Sequence, residues 1–298
     1  MHGVLLPVIR PNRLVYAIWT RRNKPVPVSI LLLTLNEEQN LPACLDAISW
    51  CDDIVVMDSF SSDRTVELAT KAGARVEQRK FDSFAGQRNF ALQHIEFKHE
   101  WVFHLDADEI FTEALFEEME KAIRNPCFDA YNIPSKMMFM GKWLRYSGMY
   151  PSYQVRLTRR PVFQFKMVGH GQRADIAVEK IGTLHEPYLH YSFSKGLDDW
   201  FERHNRYSAD EARASLAHRL NEQVNWAGLF ARDADQRRLA IKGLVFRLPF
   251  RPFFRFIYMF FLRFGFLDGM AGLTYCYLVT TYEFMISCKI REIQTLEK

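Results

Sequence analysis

The chain has 298 residues, of which 48% are hydrophobic and 25% are charged. This composition excludes a disordered protein and supplies enough apolar material for a large core, so we expect one catalytic domain with an appendage. The net charge of +4 is only mildly basic, which argues against a dedicated nucleic-acid-binding protein. The five cysteines show no C-x-x-C spacing, which indicates neither a disulfide framework nor a zinc site and is typical of a reducing cytoplasm.

Strands and helices alternate in the N-terminal half of the chain. Short apolar runs predict strands, and periodic segments that follow polar capping residues predict helices. This alternation predicts an α/β fold with a doubly wound, mostly parallel sheet, whose ligands bind at the carboxyl ends of the strands. In chain order we expect a strand at 28–33, a helix after Asn40, a strand at 54–57, a helix at 63–73, a strand at 75–77, a helix at 86–95, a strand at 101–105 and a helix from Thr112.

Polar residues directly follow three of the predicted strands. They occupy positions 34–37, 58–59 and 106–109. Because the carboxyl ends of neighbouring parallel strands meet at one edge of a sheet, we expect these side chains to line one site. The amide and carboxylate groups of Asn36, Glu37 and Asp58 suit a nucleobase and ribose. Helix capping is the alternative role, although Asn40 is the nearer cap for the first helix.

A further polar cluster opens the helix predicted at 86–95. Backbone N–H groups and an arginine in a first helical turn suit phosphate or carboxylate binding. Arg88 is expected either to touch a diphosphate or to fix a site carboxylate, and a solvated first turn is the alternative. The predicted nucleotide-sugar contacts are Thr34, Asn36, Glu37, Asp58, Ser59, Gln87, Arg88, Asn89 and Asp106.

Two aspartates after the fourth predicted strand are candidate metal ligands. Asp106 and Asp108 lie two residues apart, so they can point to the same side of an extended chain. Paired carboxylates bind a hard divalent cation, which can bridge the oxygens of a departing diphosphate. His170 is a candidate third ligand or a structural histidine. The alternative role for the aspartates is to cap a turn.

A transfer to a hydroxyl group would need a general base near that hydroxyl. The candidates are Asp175, His170 and Glu186. The segment at 168–173 is rich in glycine and polar residues, as expected of a loop that approaches a ligand closely, but a plain turn fits the same pattern.

The C-terminal third differs in character from the rest of the chain. A charged helix is expected from Lys195 to about Arg219, and its Arg203, Arg206 and Tyr207 are candidate acceptor-binding residues that suit a lipid diphosphate; a solvated helix face is the alternative. Arginines then alternate with aromatic residues, a pattern typical of membrane-surface helices. The uncharged run at 269–282 is shorter than the roughly 20 residues of a spanning helix, so interfacial or re-entrant helices are expected. A helical subdomain buried in a homo-oligomer is the alternative.

The chain is therefore divided into three parts. Residues 1–25 form a basic, apolar N-terminal extension without the pattern of a signal peptide, residues 26–192 the catalytic domain, and residues 193–298 a helical, basic and aromatic region that we expect to associate with a membrane. The two ends are expected to contribute to one membrane-facing patch.

Several motifs together resemble family 2 glycosyltransferases, most closely those of lipopolysaccharide-core and exopolysaccharide biosynthesis. The resemblance covers about residues 26–191 and implies a GT-A (Rossmann-like) fold, a UDP- or other nucleotide-sugar donor, Mg²⁺ or Mn²⁺ at Asp106 and Asp108, and inversion at the anomeric carbon. The sequence departs from the family pattern at His170-Gly171-Gln172, where His followed directly by an acidic residue is expected. The motifs are Thr34-Leu35-Asn36-Glu37-Glu38, Asp58-Ser59-Phe60-Ser61-Ser62-Asp63-Arg64-Thr65, Gln87-Arg88-Asn89 and Leu105-Asp106-Ala107-Asp108-Glu109.

These observations lead to one expected function and two alternatives. We expect a metal-dependent, inverting transfer of one sugar to a polyprenyl-diphosphate-linked or other lipid-linked acceptor, at the cytoplasmic face of a bacterial inner membrane. No Gln-x-x-Arg-Trp motif of processive synthases is present. A non-catalytic membrane adaptor is the first alternative. The second is a nucleotidyltransferase, which would need a glycine-rich loop after the first strand, where Glu37 and Glu38 stand instead.

Overall fold

The computed structural model describes residues 26–160, 163–168, 171–221, 226–231, 233, 236–237, 240 and 250–296. The described residues divide into two compact units. The first contains the residues up to Arg145 together with Tyr150–Gly196, and the second contains Tyr146–Met149 and the residues from Leu197 onward. The N-terminal extension at 1–25 and the candidate base His170 lie outside the described residues.

The first unit alternates strands and helices before it becomes rich in strands. The helices are α1 (Leu41–Ala47), α2 (Thr65–Lys71), α3 (Phe84–His94) and α4 (Glu113–Arg124). The strands are β1 (Val28–Thr34), β2 (Ile54–Asp58), β3 (Arg75–Gln78), β4 (Trp101–Asp106), β5 (Glu109–Ile110), β6 (Ala130–Phe139), β7 (Lys142–Trp143), β8 (Ser152–Arg159), β9 (Phe165–Val168), β10 (Gly171–Ala174), β11 (Ile181–Thr183) and β12 (Tyr188–His190).

The main sheet is mixed rather than mostly parallel. Its order is β3-β2-β1-β4-β8-β6-β12-β5, and β3, β2, β1 and β4 pair in parallel as predicted. Beyond β4 the prediction is wrong, because β8 runs antiparallel to both β4 and β6, and β5 runs antiparallel to β12. The physical reason is the connections: a parallel neighbour needs a long crossover, usually through a helix, and no helix separates β6, β7 and β8.

Both faces of the parallel strands are covered, as the doubly wound prediction requires. Ile30 and Leu32 of β1 lie in one core cluster with Leu41 of α1 and Leu115 of α4. Leu31 points to the opposite face and lies in a second cluster with residues of α3. Successive residues of one strand thus belong to different cores, which explains why β1 reads as a continuous apolar run.

A separate hairpin, β9–β10, packs against α3 and is hydrogen-bonded to it through the side chain of Asn89. Asn89 Nδ2 donates to the carbonyl of Phe165 at 2.8 Å, and Asn89 Oδ1 accepts from the Phe165 amide at 2.8 Å. Phe163 and Phe165 add to the core cluster around α3. The amide group of Asn89, which the sequence assigned to nucleotide binding, is thus engaged in anchoring this hairpin.

Replacing Asn89 with alanine should loosen the hairpin. Asn89→Ala leaves the amide and carbonyl of Phe165 without their partners, which we expect to cost about 1–3 kcal/mol in the free energy of unfolding. Gln93→Ala, on the exposed side of the same helix, is the matched control. Urea denaturation and amide hydrogen exchange at Phe165 measure the effect. Equal stability and equal exchange in the two variants would contradict the anchoring role.

The second unit is helical in its described residues. Its helices are α5 (Gly196–Asn221), which begins at the last residue of the first unit, α6 (Arg251–Ile257) and α7 (Gly269–Leu296). Ala212 of α5 packs against Ile286 and Ile290 of α7. Arg251 Nη2 pairs with the carboxylate of Glu283 at 2.6 Å, and both side chains are largely buried.

Within the described residues, no single helix is both long and apolar enough to cross a membrane. Arg251–Leu262 and Gly265–Leu296 meet the length and composition requirement only as a pair, and the pair is bent by 71°. Asp268, at this bend, accepts hydrogen bonds from the amides of Tyr146 and Ser147 and from Ser147 Oγ. The expected membrane association of this region stays a prediction.

Candidate active site

The polar strand exits meet at one edge of the sheet. In the β1–β2 pairing Thr34 lies opposite Asp58, and in the β1–β4 pairing Leu33 lies opposite Asp106. The residues that follow β1, β2 and β4 are therefore neighbours, which is the arrangement that the sequence pattern predicted. This edge is the candidate active site.

Asp106 is held between two buried arginines. Arg88 Nη2 lies 2.6 Å from Asp106 Oδ1, and Arg156 Nη2 lies 2.9 Å from Oδ2; each arginine side chain is only 3% exposed. Burial opposes ionisation of Asp106, but the guanidinium groups of Arg156 and Arg88 outweigh it and hold its pKa below the usual range. Of the two roles expected for Arg88, the structure shows the fixing of a site carboxylate.

A second carboxylate completes this cluster. Glu109 is fully buried, and its Oε1 lies 2.5 Å from Arg156 Nη2 while its Oε2 accepts from the amide of Asp106 at 2.9 Å. Burial raises the pKa of Glu109, although Arg156 opposes the shift. Arg156 Nη1 also donates to the carbonyl of His104 at 3.3 Å. Arg156 thus joins β4, β5 and β8 at the candidate site.

Asp108 faces a different partner from Asp106. The strand ends at Asp106, so the alternation expected to bring both carboxylates to one side does not continue. Asp108 Oδ2 lies 3.5 Å from His190 Nε2, and the Asp108 carbonyl accepts from the amide of Tyr191 at 2.9 Å. Burial lowers the pKa of His190, but the Asp108 and Glu109 carboxylates outweigh it and raise the pKa to about 9.

The donor types at Asp108 and His190 suit a divalent cation. Carboxylate oxygen and neutral imidazole nitrogen, side by side, are ligands that Mn²⁺ accepts, and Mg²⁺ accepts the carboxylate. Because the raised pKa of His190 keeps its ring protonated near neutral pH, a metal ion bound by this ring would have to displace that proton. Both oxygens of Asp106 already face arginines, so of the predicted pair Asp108 is the better ligand. In the described part of the chain, no group of three or more His, Cys, Asp or Glu side chains is arranged to hold a metal ion. His170, the predicted third ligand, lies outside the described residues.

Asp58 connects the β1 and β2 exits through its own hydrogen bonds. Its buried carboxylate accepts from Thr34 Oγ1 at 2.9 Å, from the amide and hydroxyl of Ser61, and from Gln78 Nε2 at 3.1 Å. A carboxylate has about four acceptor positions, so these donors account for all of them. Asn36 Oδ1 likewise accepts from the amide of Ser62 at 2.8 Å. The structure therefore gives these predicted nucleotide contacts a role in holding the two exits together.

Glu37 carries an ion pair on the same rim. Lys195 Nζ lies 2.6 Å from Glu37 Oε1 and 3.3 Å from the carbonyl of Leu35. The side chain of Asn40 does not cap α1 as predicted; it donates to Glu37 Oε2 at 2.8 Å. Burial raises the pKa of Glu37, Lys195 opposes the shift, and Asp108 adds to it. Glu37 is thus close enough to Asp108 to sense its charge.

Gln87 ties α3 to the β2 exit. Its Nε2 donates to Ser59 Oγ at 3.2 Å and to the carbonyl of Arg79 at 3.1 Å, and its Oε1 accepts from Arg79 Nη1 at 2.9 Å. The side chain is almost completely buried. The contacts of Gln87 and Ser59 are therefore internal, and the predicted nucleotide contact of either residue stays a prediction.

The two described candidates for the general base lie elsewhere on the first unit. Asp175 Oδ1 pairs with Lys166 Nζ at 2.6 Å and is 41% exposed. Glu186 is exposed, and its amide donates to Glu118 of α4 at 2.7 Å. The assignment of the base stays a prediction.

The predicted acceptor residues lie on α5 in the second unit. Arg203 pairs with Asp199 at 2.7 Å and Arg206 with Glu202 at 4.0 Å, each one helical turn away. The ring of Tyr207 lies 5.8 Å from that of His204. These contacts fit the solvated-helix alternative and leave the acceptor role a prediction.

Sequence reasoning assigned no individual role to four residues that the structure places at this site, although one of them, Glu109, belongs to the polar stretch 106–109 that was expected to line it. They are Glu109, Arg156, His190 and Lys195. Arg156 had a weak sequence signal, since it lies between the apolar residues Val155 and Leu157 in a strand-like stretch, and the structure shows that it is the one cation among the buried residues of β8. Lys195 had none, because its partner Glu37 is 158 positions away in the sequence.

A parallel β-α half and a mixed extension of the sheet are consistent with a GT-A α/β fold. Residues 29–173 match the family described as Glycosyl transferase family 2. These residues form a family 2 glycosyltransferase domain, and the protein is a glycosyltransferase.

The relatives are similar over most of the chain at low identity. An uncharacterized glycosyltransferase of Rickettsia typhi is 24% identical over 89% of this chain and 87% of its own length. One of Rickettsia bellii is 26% identical over 62% of this chain, and the match spans 66% of that relative. The lipopolysaccharide core biosynthesis glycosyltransferase LpsC of Rhizobium meliloti is 24% identical over 63% of this chain and 71% of its own length.

Among solved structures, S. aureus TarS in complex with UDP-GlcNAc covers 90% of this chain and 91% of its own, with 14% identity and a TM-score of 0.41. A likeness at this level supports no conclusion about this chain.

Removing Arg156 should strongly destabilise the first unit. Arg156→Met leaves Glu109 buried without its cation, and breaking a buried pair in this way costs about 3–5 kcal/mol. Arg159→Met is the control, because Arg159 lies on the same strand in an exposed pair with Glu100 and its loss should change the stability little.

Urea denaturation measures both variants, and Glu109→Gln in the Arg156→Met background tests the cause. We expect the second substitution to recover part of the lost stability, because it removes the uncompensated charge. Equal losses in Arg156→Met and Arg159→Met would show that the buried cluster does not stabilise the fold.

Proposed function

We propose that the protein transfers one sugar from a nucleoside-diphosphate sugar, with UDP as the first nucleotide to test, to a lipid-linked acceptor with inversion. The observation that carries the proposal is the pairing of Asp108 with His190 beside an Asp106 that two buried arginines hold in place. Family membership supports the reaction class. The intact acidic cluster argues against the non-catalytic adaptor.

Different residues of this chain have different roles in binding the donor. Arg88 and Arg156 keep Asp106 ionised and fixed, so that its carboxylate can accept hydrogen bonds from the ribose or nucleobase without reorganising. Asp108 and His190 would hold a divalent cation, which supplies positive charge to the diphosphate as it leaves. Lys195 stands on the same rim and offers a second positive charge.

The acceptor class is proposed from two observations. LpsC of Rhizobium meliloti is named for lipopolysaccharide core biosynthesis, and lipopolysaccharide is a lipid-linked glycan. The second unit presents an aromatic, arginine-containing surface of the kind that associates with anionic membranes. Together they support a reaction at the cytoplasmic face of a bacterial inner membrane, with Asp175, His170 or Glu186 as the base.

Asp108 should be required for metal-dependent donor binding. We expect wild type to bind one of UDP-, GDP- or dTDP-sugars more tightly with Mn²⁺ than without it, and Asp108→Ala to lose the metal-dependent part. Calorimetry in detergent measures this, with Asp210→Ala on the exposed face of α5 as the control. Failure of wild type to bind any nucleotide-sugar would favour the adaptor. Turnover of a nucleoside triphosphate instead would favour a nucleotidyltransferase.

Lys195 should contribute to binding of the donor diphosphate. A charge-assisted hydrogen bond contributes about 1.5–3 kcal/mol, so Lys195→Met should weaken binding of the diphosphate product roughly tenfold or more. Glu37→Gln removes the competing carboxylate and should leave affinity unchanged or increase it. The exposed Lys142→Met is the control. A parallel loss of affinity in Glu37→Gln would indicate that the ion pair only holds the rim together.

A further inference from the structure

The turn that connects the two bent helices of the second unit presents an apolar surface to solvent. Six large apolar side chains within ten residues are each 45–72% exposed. We call this the turn surface. It consists of Phe261, Leu262, Phe264, Phe266, Leu267 and Met270.

The turn surface is continuous through its aromatic rings. The ring of Phe264 lies 6.1 Å from that of Phe266, which lies 6.1 Å from Phe260, and Phe260 lies 5.1 Å from Phe261. Side chains of this size, each about half exposed, present roughly 600 Å² of apolar area together. Soluble monomers rarely leave a larger patch open, and patches of this kind mark protein or membrane contacts.

Phe264 adds a second, independent observation. Its backbone is left-handed, with φ 59° and ψ 31°, and its side chain is exposed. A bulky residue is disfavoured in this region, and a strained residue persists only where its surroundings enforce it. Because the ring is exposed to water, burial of its apolar surface contributes little stabilisation to offset that strain. A partner that buries the ring would supply the missing stabilisation.

Close packing around the turn keeps Phe264 in this position. A Cβ at Gly265 would lie 2.6 Å from the carbonyl of Met259, and one at Gly272 would lie 2.4 Å from the carbonyl of Gly265. Asp268 is engaged by Tyr146 and Ser147. The turn surface is therefore presented by a tightly packed support.

The charges on and near the turn select the partner. Residues 250–283 contain three arginines, Arg251, Arg255 and Arg263, and two acidic residues, Asp268 and Glu283. Glu283 is paired with the largely buried Arg251, and Asp268 already accepts three hydrogen bonds, so Arg263 is the basic residue within the turn itself. Basic residues beside exposed aromatics fit an anionic lipid surface. A second copy of the chain fits less well, because a twofold contact brings identical surfaces together and offers Arg263 no available carboxylate in the turn.

We propose that the turn surface, with Phe264 at its centre, inserts into the headgroup boundary of an anionic bilayer. The inserted part is the bend of 71° between the helical stretches Arg251–Leu262 and Gly265–Leu296. This inference deepens the membrane part of the proposed function and does not depend on which nucleotide-sugar is used.

The test compares full-length variants on vesicles of phosphatidylethanolamine and phosphatidylglycerol, with phosphatidylcholine vesicles as a second surface. Phe264→Asn removes the ring and inserts a residue that tolerates the left-handed conformation. We expect partition onto the anionic vesicles to fall about tenfold or more, with an unchanged or higher Tm. Wild type should bind phosphatidylcholine weakly.

Phe60→Asn is the matched control for partition and Tm. Phe60 has φ 62° and is 59% exposed, but it lies in the first unit and outside the turn surface. Its substitution should leave vesicle binding unchanged.

Three outcomes would overturn the inference. In the first, both Phe264→Asn and the triple variant Leu262→Ser/Phe264→Asn/Leu267→Ser partition onto anionic vesicles as wild type does. In the second, wild type binds both kinds of vesicle equally. In the third, light scattering shows a wild-type dimer that dissociates in the triple variant without any change in partition. Calorimetric donor binding by the same variants separates this result from the proposed function. Retained donor binding with unchanged partition rejects only the turn surface, and absent donor binding in wild type rejects only the glycosyl-transfer proposal.

Discussion

The grip of two buried arginines on Asp106 is the interaction on which the rest of the first unit depends. Arg88 comes from α3, which covers one face of the parallel strands, and Arg156 comes from β8, the first antiparallel neighbour of β4. One carboxylate thus connects the parallel half of the sheet to its mixed extension. Placing these charges out of water is costly, and the cost is tolerable only because two cations and the two carboxylates of Asp106 and Glu109 balance one another.

This balance of charges explains why the carboxylates at this edge of the sheet have fixed orientations. Glu109 accepts from the amide of Asp106 and from Arg156, so the turn after β4 has little freedom to move. Asp108 follows directly and reaches His190 of β12. A carboxylate that approaches a diphosphate needs this kind of preorganisation, because a side chain that must first be ordered loses binding energy to conformational entropy.

The sequence predicted the parallel half well because its signals are local. Apolar runs mark β1, β2 and β4, and the polar residues after them identify the site edge without knowledge of any partner. The mixed half could not be predicted in the same way, since its strands are defined by pairing and not by their own pattern. Asn89 illustrates the limit: its residue type suits a ligand, yet its partner is Phe165, 76 positions further along the chain.

The same limit applies to charges. Arg156 meets Asp106 across 50 positions and Lys195 meets Glu37 across 158. A spacing argument within one motif therefore identifies Asp106 and Asp108 as candidate ligands. It cannot tell which of the two carboxylates will form an ion pair with an arginine. The end of β4 at Asp106 decides it, because the turn that begins there aims the two carboxylates at different partners.

The segment from Tyr191 to Gly196 is bonded to the candidate site at two points. Its first amide bonds the carbonyl of Asp108, and Lys195 near its end pairs with Glu37, so both ends are tied to the candidate site. Gly196 then takes φ 92°, a conformation that suits glycine, and α5 begins there. The described partners Arg88, Arg156, His190 and Glu37 of these side chains belong to the first unit. The proposed donor binding and the proposed membrane docking therefore rest on different units of the chain, so that substitutions in one unit can test one proposal without altering the residues of the other.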